Sequence, residues 1–174
     1  VLGPLSSPVS AQWRLHGDTA IIEMAQASGL TLAGGLEDND PIAASTIGTG
    51  QLIAIAIERV ARNIIVGAGG SATTDGGFGA LEALYPLERL REITITVACD
   101  VATRFVEAAE TFGPQKGASP SQVRFLKRRL ERVGQIYLEE RGVDVLQMDM
   151  AGAAGGLAGG LASVCLLYTS PSPR

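Results

Sequence analysis

Asn63-Ile-Ile-Val66 runs without a break into Gly67-Ala-Gly-Gly-Ser-Ala-Thr-Thr-Asp-Gly-Gly77 and then into Phe78-Gly-Ala-Leu-Glu-Ala-Leu84. The first piece reads as a short buried strand, the second as a glycine-rich loop and the third as a helix. The same rhythm holds on both sides of this unit. Upstream, Thr19 to Ala25 reads as a buried strand closed by Ser28-Gly29. From about 45 to 62, Leu52, Ile53, Ala56, Ile57 and Val60 recur at helical spacing. Downstream, Ile93 to Cys99 reads as a third strand, ending at Asp100. Strands alternating with helices predict an α/β fold with a mostly parallel sheet and flanking helices.

The rest of the chain fits around that frame. A polar helix is expected over about 104–110 and a loop over Phe112 to Gly117. Ser119-Pro120 opens the longest helix, to about Arg141, with proline at a tolerated first-turn position. Arg124, Lys127, Arg128 and Arg132 are interleaved with Glu131, Glu139 and Glu140, the pattern of a solvated helix face rather than a polyanion site. The Gly/Ala tract from Ala151 to Gly160 suits a tight helix approach, a flexible loop or a backbone platform for an anion. Residues 165–174 break the style of everything before them and read as an unrelated, artefactual tail, leaving 1–164 as the organised region.

Composition narrows the function. Of 174 residues, 46% are hydrophobic and 18% charged, which is globular rather than disordered. A net charge of −4 gives no basic footprint for nucleic acid or an anionic membrane, and no apolar run is long enough to span a bilayer. Cys99 and Cys165 form no disulfide framework or metal-spaced pair, which suits a reducing cytoplasm. With His16 as the lone histidine, a histidine-built metal site is excluded from the expectations.

Chemistry is expected first at the loop after Val66. Successive backbone N–H groups of glycines can surround a phosphate, because a Cβ would block the approach and disfavour positive φ. Gly69, Gly70 and Ser71 with the hydroxyls of Thr73 and Thr74 are the binding candidates. Asp75 would repel a phosphate directly, so it reads as a Mg²⁺ ligand or a base, with a helix-capping aspartate as the plainer alternative. Asp100, at the carboxyl end of a strand, is a second metal or base candidate, with a surface turn residue as an equal alternative. Glu23 sits in an apolar strand and needs a partner or ligand if it faces inward, the plainer alternative being an edge strand on which it faces water. Lys116, flanked by glycines, could neutralise a phosphoryl or carboxylate oxygen, with a solvated surface lysine as the default reading. Thr46, Gly48, Thr49 and Gly50 open the middle helix, whose N-terminus could hold a further anion. A Walker-type loop is excluded, since neither Lys116 nor Lys127 is placed for one. Gly67-x-Gly69-x-x-Ala72 fits the dinucleotide fingerprint after a strand, which keeps an NAD(P)-binding oxidoreductase domain as the alternative.

Seven segments taken in order resemble the bacterial-type (type 1) glycerate kinase family. They are Val1-Leu-Gly-Pro-Leu5, Ile22 to Leu30, Ser45-Thr-Ile-Gly-Thr-Gly50, Gly67 to Gly77, Val97-Ala-Cys-Asp100, Phe112-Gly-Pro-Gln-Lys-Gly117 and Gly152-Ala-Ala-Gly-Gly156. The resemblance implies ATP-dependent phosphorylation of D-glycerate, with Mg²⁺, by a two-lobed α/β protein. It also implies that the family's Pro-Asp-Ser-Phe-Lys-Gly and Asp-Gly-Gly-Glu-Gly-Thr segments lie outside this sequence, and that the connection from Ala80 to Arg91 is short. The expectation is a partial catalytic region with little activity by itself.

Overall fold

The computed structural model describes residues 1–165 and the backbone of 167–171. Five strands form one sheet in sequence order: β1 (Arg14–His16), β2 (Thr19–Glu23), β3 (Asn63–Gly67), β4 (Thr94–Cys99) and β5 (Leu167–Pro171). β1 pairs antiparallel with β2 through the turn at Gly17, and all later neighbours are parallel. The helices are α1 (Ala25–Ser28), α2 (Ile47–Glu58), α3 (Phe78–Leu84), α4 (Ala108–Phe112), α5 (Pro120–Arg141) and α6 (Ala153–Ala162).

Sequential strand order has a structural consequence. Parallel crossovers are right-handed as a rule, and in sequential strand order that hand carries successive helices to the same face. Ala20, Ile22, Ile64, Val66, Ile95 and Val97 are accordingly buried with Leu52, Ile53, Ala80 and Leu84 of the covering helices. On β2 the alternate residues Ile21 and Glu23 are exposed. The register sets Glu23, Gly67 and Ala98 side by side at the carboxyl end of the sheet.

The strands and helices follow the sequence reading closely, with four differences. The first strand stops at Glu23, because Met24 takes helical geometry and leads into α1. The helix expected over 104–110 forms at Ala108–Phe112, and the loop after it carries a single 3-10 turn, Pro114–Lys116. Arg14–His16, given no element in the sequence reading, form an exposed edge strand. Residues 167–171, set aside from the fold reading, pair in parallel with β4.

Two local features need their residue types. Ser119 and Gln122 close a reciprocal capping box at the start of α5, which then buries Leu126, Leu130, Val133 and Tyr137 along one stripe. Ala154, Gly155 and Gly156 are three consecutive left-handed residues at the head of α6. Behind them, Gly156 and Gly160 lie so close to the backbone of Gly76 and Gly77 that a Cβ at either would collide with it. Of the three readings of the Gly/Ala tract, the tight approach of backbones is the one observed.

Candidate functional site

A cavity of about 660 Å³ opens at the carboxyl ends of β2, β3 and β4. This is where an open parallel sheet leaves backbone groups and strand-end side chains free to meet a ligand. Glu23 enters it from β2, Gly67 to Ser71 from the loop after β3, and Cys99 and Asp100 from β4. Lys116 and Gln115 close one side, and Ala153 and Ala154 at the head of α6 close another. Four sequence-derived groups therefore converge: Glu23, the Gly69-Gly70-Ser71 turn, Asp100 and Lys116.

Lys116 is the unusual member. Its side chain is only 5% exposed, and its Nζ donates to the Thr73 carbonyl. It takes part in none of the ion pairs among the described residues. The Phe112 ring lies 6.0 Å from the ammonium. Burial pushes its pKa down to about 8, and the negative charge of Asp75 partly offsets the shift. A buried ammonium with unused donors, beside a cavity and without a carboxylate in contact, is electrostatically incomplete. Burial likewise raises the Cys99 thiol at the cavity floor, so it stays protonated and unreactive at neutral pH.

The glycine-rich loop divides into two halves with different work. Gly69 has open space where its Cβ would be, and Gly70 takes positive φ, so this half offers bare backbone to the cavity. Ser71 bridges to Gly29, and Ala72 donates to the Ser28 carbonyl, which ties the turn to α1. The second half is internal. Thr73 and Thr74 are fully buried with hydroxyls that find no partner among the described residues. Their carbonyls accept from Lys116 and from Arg129. Helix α3 begins only at Phe78, so Gly67-x-Gly69-x-x-Ala72 does not open a helix as the dinucleotide fingerprint requires.

Asp75 lies away from this cavity. Its Oδ2 accepts from Thr46 N and Thr46 Oγ1, both at 2.8 Å, and from Gly79 N at 3.3 Å, while Oδ1 accepts from Gly77 N at 3.1 Å. Thr46 Oγ1 in turn accepts from Ala80 N at 3.0 Å. One carboxylate thus pins the N-termini of α2 and α3 together. Asp75 borders a separate cleft of about 370 Å³ shared with Phe78 and Arg129. Thr46, Gly48, Thr49 and Gly50 are buried too and line neither cavity. Thr49 bonds Ser28 at 2.8 Å, and Gly48 and Gly50 let α2 touch the backbones of Leu2 and Ala80. The structure does not bring Asp75 or this helix start to the converging groups.

Two residues that the sequence reading passed over matter to this architecture. Arg129, on the helix read as solvated, turns inward to the carbonyls of Ile42 and Thr74 at 2.7 and 2.9 Å. Asn39 is buried between the Ala72 and Lys116 carbonyls. Neither carries a local sequence signal, since each is defined by partners distant in the chain.

A family model described as the glycerate kinase family matches residues 1–85 and 86–169. The break falls within the connection from Ala80 to Arg91. Among curated proteins, glycerate 2-kinase of Escherichia coli K12 is 39% identical over 92% of this chain and 51% of its own length. Glycerate kinase of Halalkalibacterium halodurans is 39% identical over the same shares. A crystal structure from Salmonella typhimurium LT2, of a protein ascribed to glycerate kinase 2, superposes with a TM-score of 0.93 at 35% identity. It covers 99% of this chain and 55% of that one. The chain spans about half the length of the curated relatives it matches. No helix among the described residues is long and apolar enough to cross a membrane.

Proposed function

The chain belongs to the glycerate kinase family, and from that premise we propose that it carries part of an ATP-dependent kinase of D-glycerate, of the bacterial type 1 branch, working in the cytoplasm. The observation that carries this reading is Lys116, a buried ammonium facing a cavity walled by bare glycine backbone and two carboxylates. Both substrates of such a reaction are anions, and this is the arrangement that receives one.

The reaction joins a glycerate hydroxyl oxygen to the γ-phosphorus of ATP, breaks the bond from that phosphorus to the β-bridging oxygen, and releases ADP and a proton. Little covalent work falls to the protein, so positioning and charge stabilisation dominate. Lys116 neutralises the anionic group bound beside it, and the amides of Gly69, Gly70 and Ser71 orient that group. Glu23 and Asp100 reach the cavity from the ends of β2 and β4, and one of them takes the hydroxyl proton.

The same two carboxylates suit Mg²⁺. Among the described residues no cluster of three or more metal-ligating side chains exists, but Mg²⁺ needs only one or two carboxylates when nucleotide phosphates complete its shell. When bound, Mg²⁺ would screen the charge of the phosphates. Asp75, Thr46, Gly48, Thr49, Gly50, Thr73 and Thr74 serve the site from behind, by fixing the elements that carry it.

The test is a protein joining this chain to the family's remaining segments, incubated with D-glycerate and Mg-ATP and followed by ³¹P NMR. A phosphomonoester of glycerate is expected in the wild type. Asp100→Asn is expected to slow its formation at least a hundredfold while leaving thermal stability unchanged. No phosphoglycerate from a folded wild-type protein would overturn the reading.

A further inference from the structure

We propose that Asn39 is a positioning residue that keeps Lys116 dehydrated and aimed into the cavity, by stitching the lysine's own loop to the glycine-rich loop. The role rests on the anion-site reading above. Asn39 is 9% exposed and lies in the segment between α1 and α2. Its Nδ2 donates to the Lys116 carbonyl at 2.8 Å and to the Ala72 carbonyl at 3.2 Å. Those acceptors are 77 and 33 residues away in sequence and belong to the two walls that hold the lysine side chain. The side-chain amide has two hydrogens to give, and both are spent on this bridge.

A second contact supports the first. Gly117 has φ of +90°, and a Cβ there would come within 2.5 Å of the Leu36 carbonyl. The segment from Leu36 to Asn39 therefore packs directly on the backbone that follows Lys116. With its main chain fixed at that point, the lysine extends to the Thr73 carbonyl, one residue past Ala72. Without the bridge, the loop over Pro114–Lys116 would be held mainly by its own turn, and the ammonium could swing toward water. The charges around it are Asp75 behind the glycine loop, and Glu23 and Asp100 across the cavity. Glu37, Asp38 and Asp40 flank Asn39 in its own segment.

Lys116 and Lys127 are the only lysines of the sequence, so the chain labelled with ¹³C-lysine gives two side-chain Cε signals. Lys127 is exposed and paired with Glu110, and it serves as the internal control. In the wild type, Lys116 is expected to titrate near pH 8. In Asn39→Ala its midpoint should rise by at least about one unit as the ammonium regains water, with Lys127 unmoved. Asn39→Ser, smaller and still polar, should give a shift of the same sign. A purely structural Asn39 would lower thermal stability and leave the Lys116 midpoint in place, and that result overturns the proposal. So does a wild-type Lys116 that titrates at the ordinary lysine value. Should neither variant fold, the wild-type Asn39 side-chain amide decides: slow hydrogen exchange supports the bridge, and exchange at the rate of a free amide refutes it. Inorganic phosphate is then added as the probe. A wild-type Lys116 signal that titrates as expected but ignores phosphate would count against the anion site and leave the Asn39 bridge standing.

Discussion

Replacing Lys116 with methionine keeps the length of the side chain and removes its charge, which separates what the lysine costs the fold from what it gives the site. A buried ion without a contacting counter-ion is replaced by an apolar chain of similar volume, a change that is often stabilising. Lys116→Met is therefore expected to melt at a higher temperature than the wild type at pH 7. The difference should depend on pH in a defined direction. The folded pKa lies near 8, below the ordinary value of 10.5. Between those values the unfolded chain holds a proton that the folded chain has lost, so wild-type stability rises with pH relative to the variant. The gap should close by up to about 3 kcal/mol from pH 8 to 10.5. Burial raises the pKa of Cys99, Cys165 and Tyr137, which lowers stability over part of that range, but equally in both proteins. Chemical denaturation of the two proteins at pH 7, 8.5 and 10 measures it; a pH-independent gap would show that Lys116 is hydrated. The lysine was legible in the sequence as a cation on a glycine-flanked turn. Its burial was not, because that depends on Thr73, Phe112 and Asn39, all set by tertiary packing.

At the scale of elements, the N-termini of α2 and α3 share one anion. Asp75 accepts four hydrogen bonds there, and Asp75→Asn would turn an amide donor toward N–H groups. A loss on the order of 2–4 kcal/mol is expected in urea unfolding, and an Asp75→Asn protein as stable as the wild type would contradict the pinning role. Two glycines, Gly50 in α2 and Gly69 in the glycine-rich loop, make a paired prediction. Gly50→Ala drives a Cβ into the Ala80 backbone, so it should destabilise by several kcal/mol, as overpacking does. Gly69→Ala meets nothing within 4 Å and has no positive φ to strain. It should melt within a degree or two of the wild type while weakening anion binding, since its methyl would occupy the approach to the backbone. If Gly69→Ala binds Mg-ATP and D-glycerate as the wild type does, this turn is not the anion wall. Here the sequence reading was half sufficient. It placed strand, loop and helix from Asn63 to Leu84, because local periodicity carries that information. It treated Gly67 to Gly77 as one phosphate loop, because glycine looks the same in sequence whether a ligand or another backbone comes close. What separates Gly69 from Gly76 and Gly77 is α6, some eighty residues on.

For the molecule as a whole, strands in sequential order place the covering helices on one face and gather Glu23, Gly67 to Ser71 and Asp100 at one end of the sheet. That arrangement follows from the alternation of strand and helix together with the right-handed crossover, so the fold class and the strand-end position of the candidate site are legible in the sequence. The edge strand β1 and the pairing of residues 167–171 could not, since three residues at an edge and a stretch without strand rhythm leave no periodic signal. We propose that Lys116 makes this strand-end cavity an anion site of a glycerate kinase. Calorimetric titration of wild type and Lys116→Met with D-glycerate and with Mg-ATP at pH 7 tests it most directly. A charge-assisted contact is worth about 1.5–3 kcal/mol, so the account expects the more thermostable variant to bind at least one of the two ligands roughly ten- to a hundredfold more weakly. Equal affinity of both proteins for both ligands would contradict it.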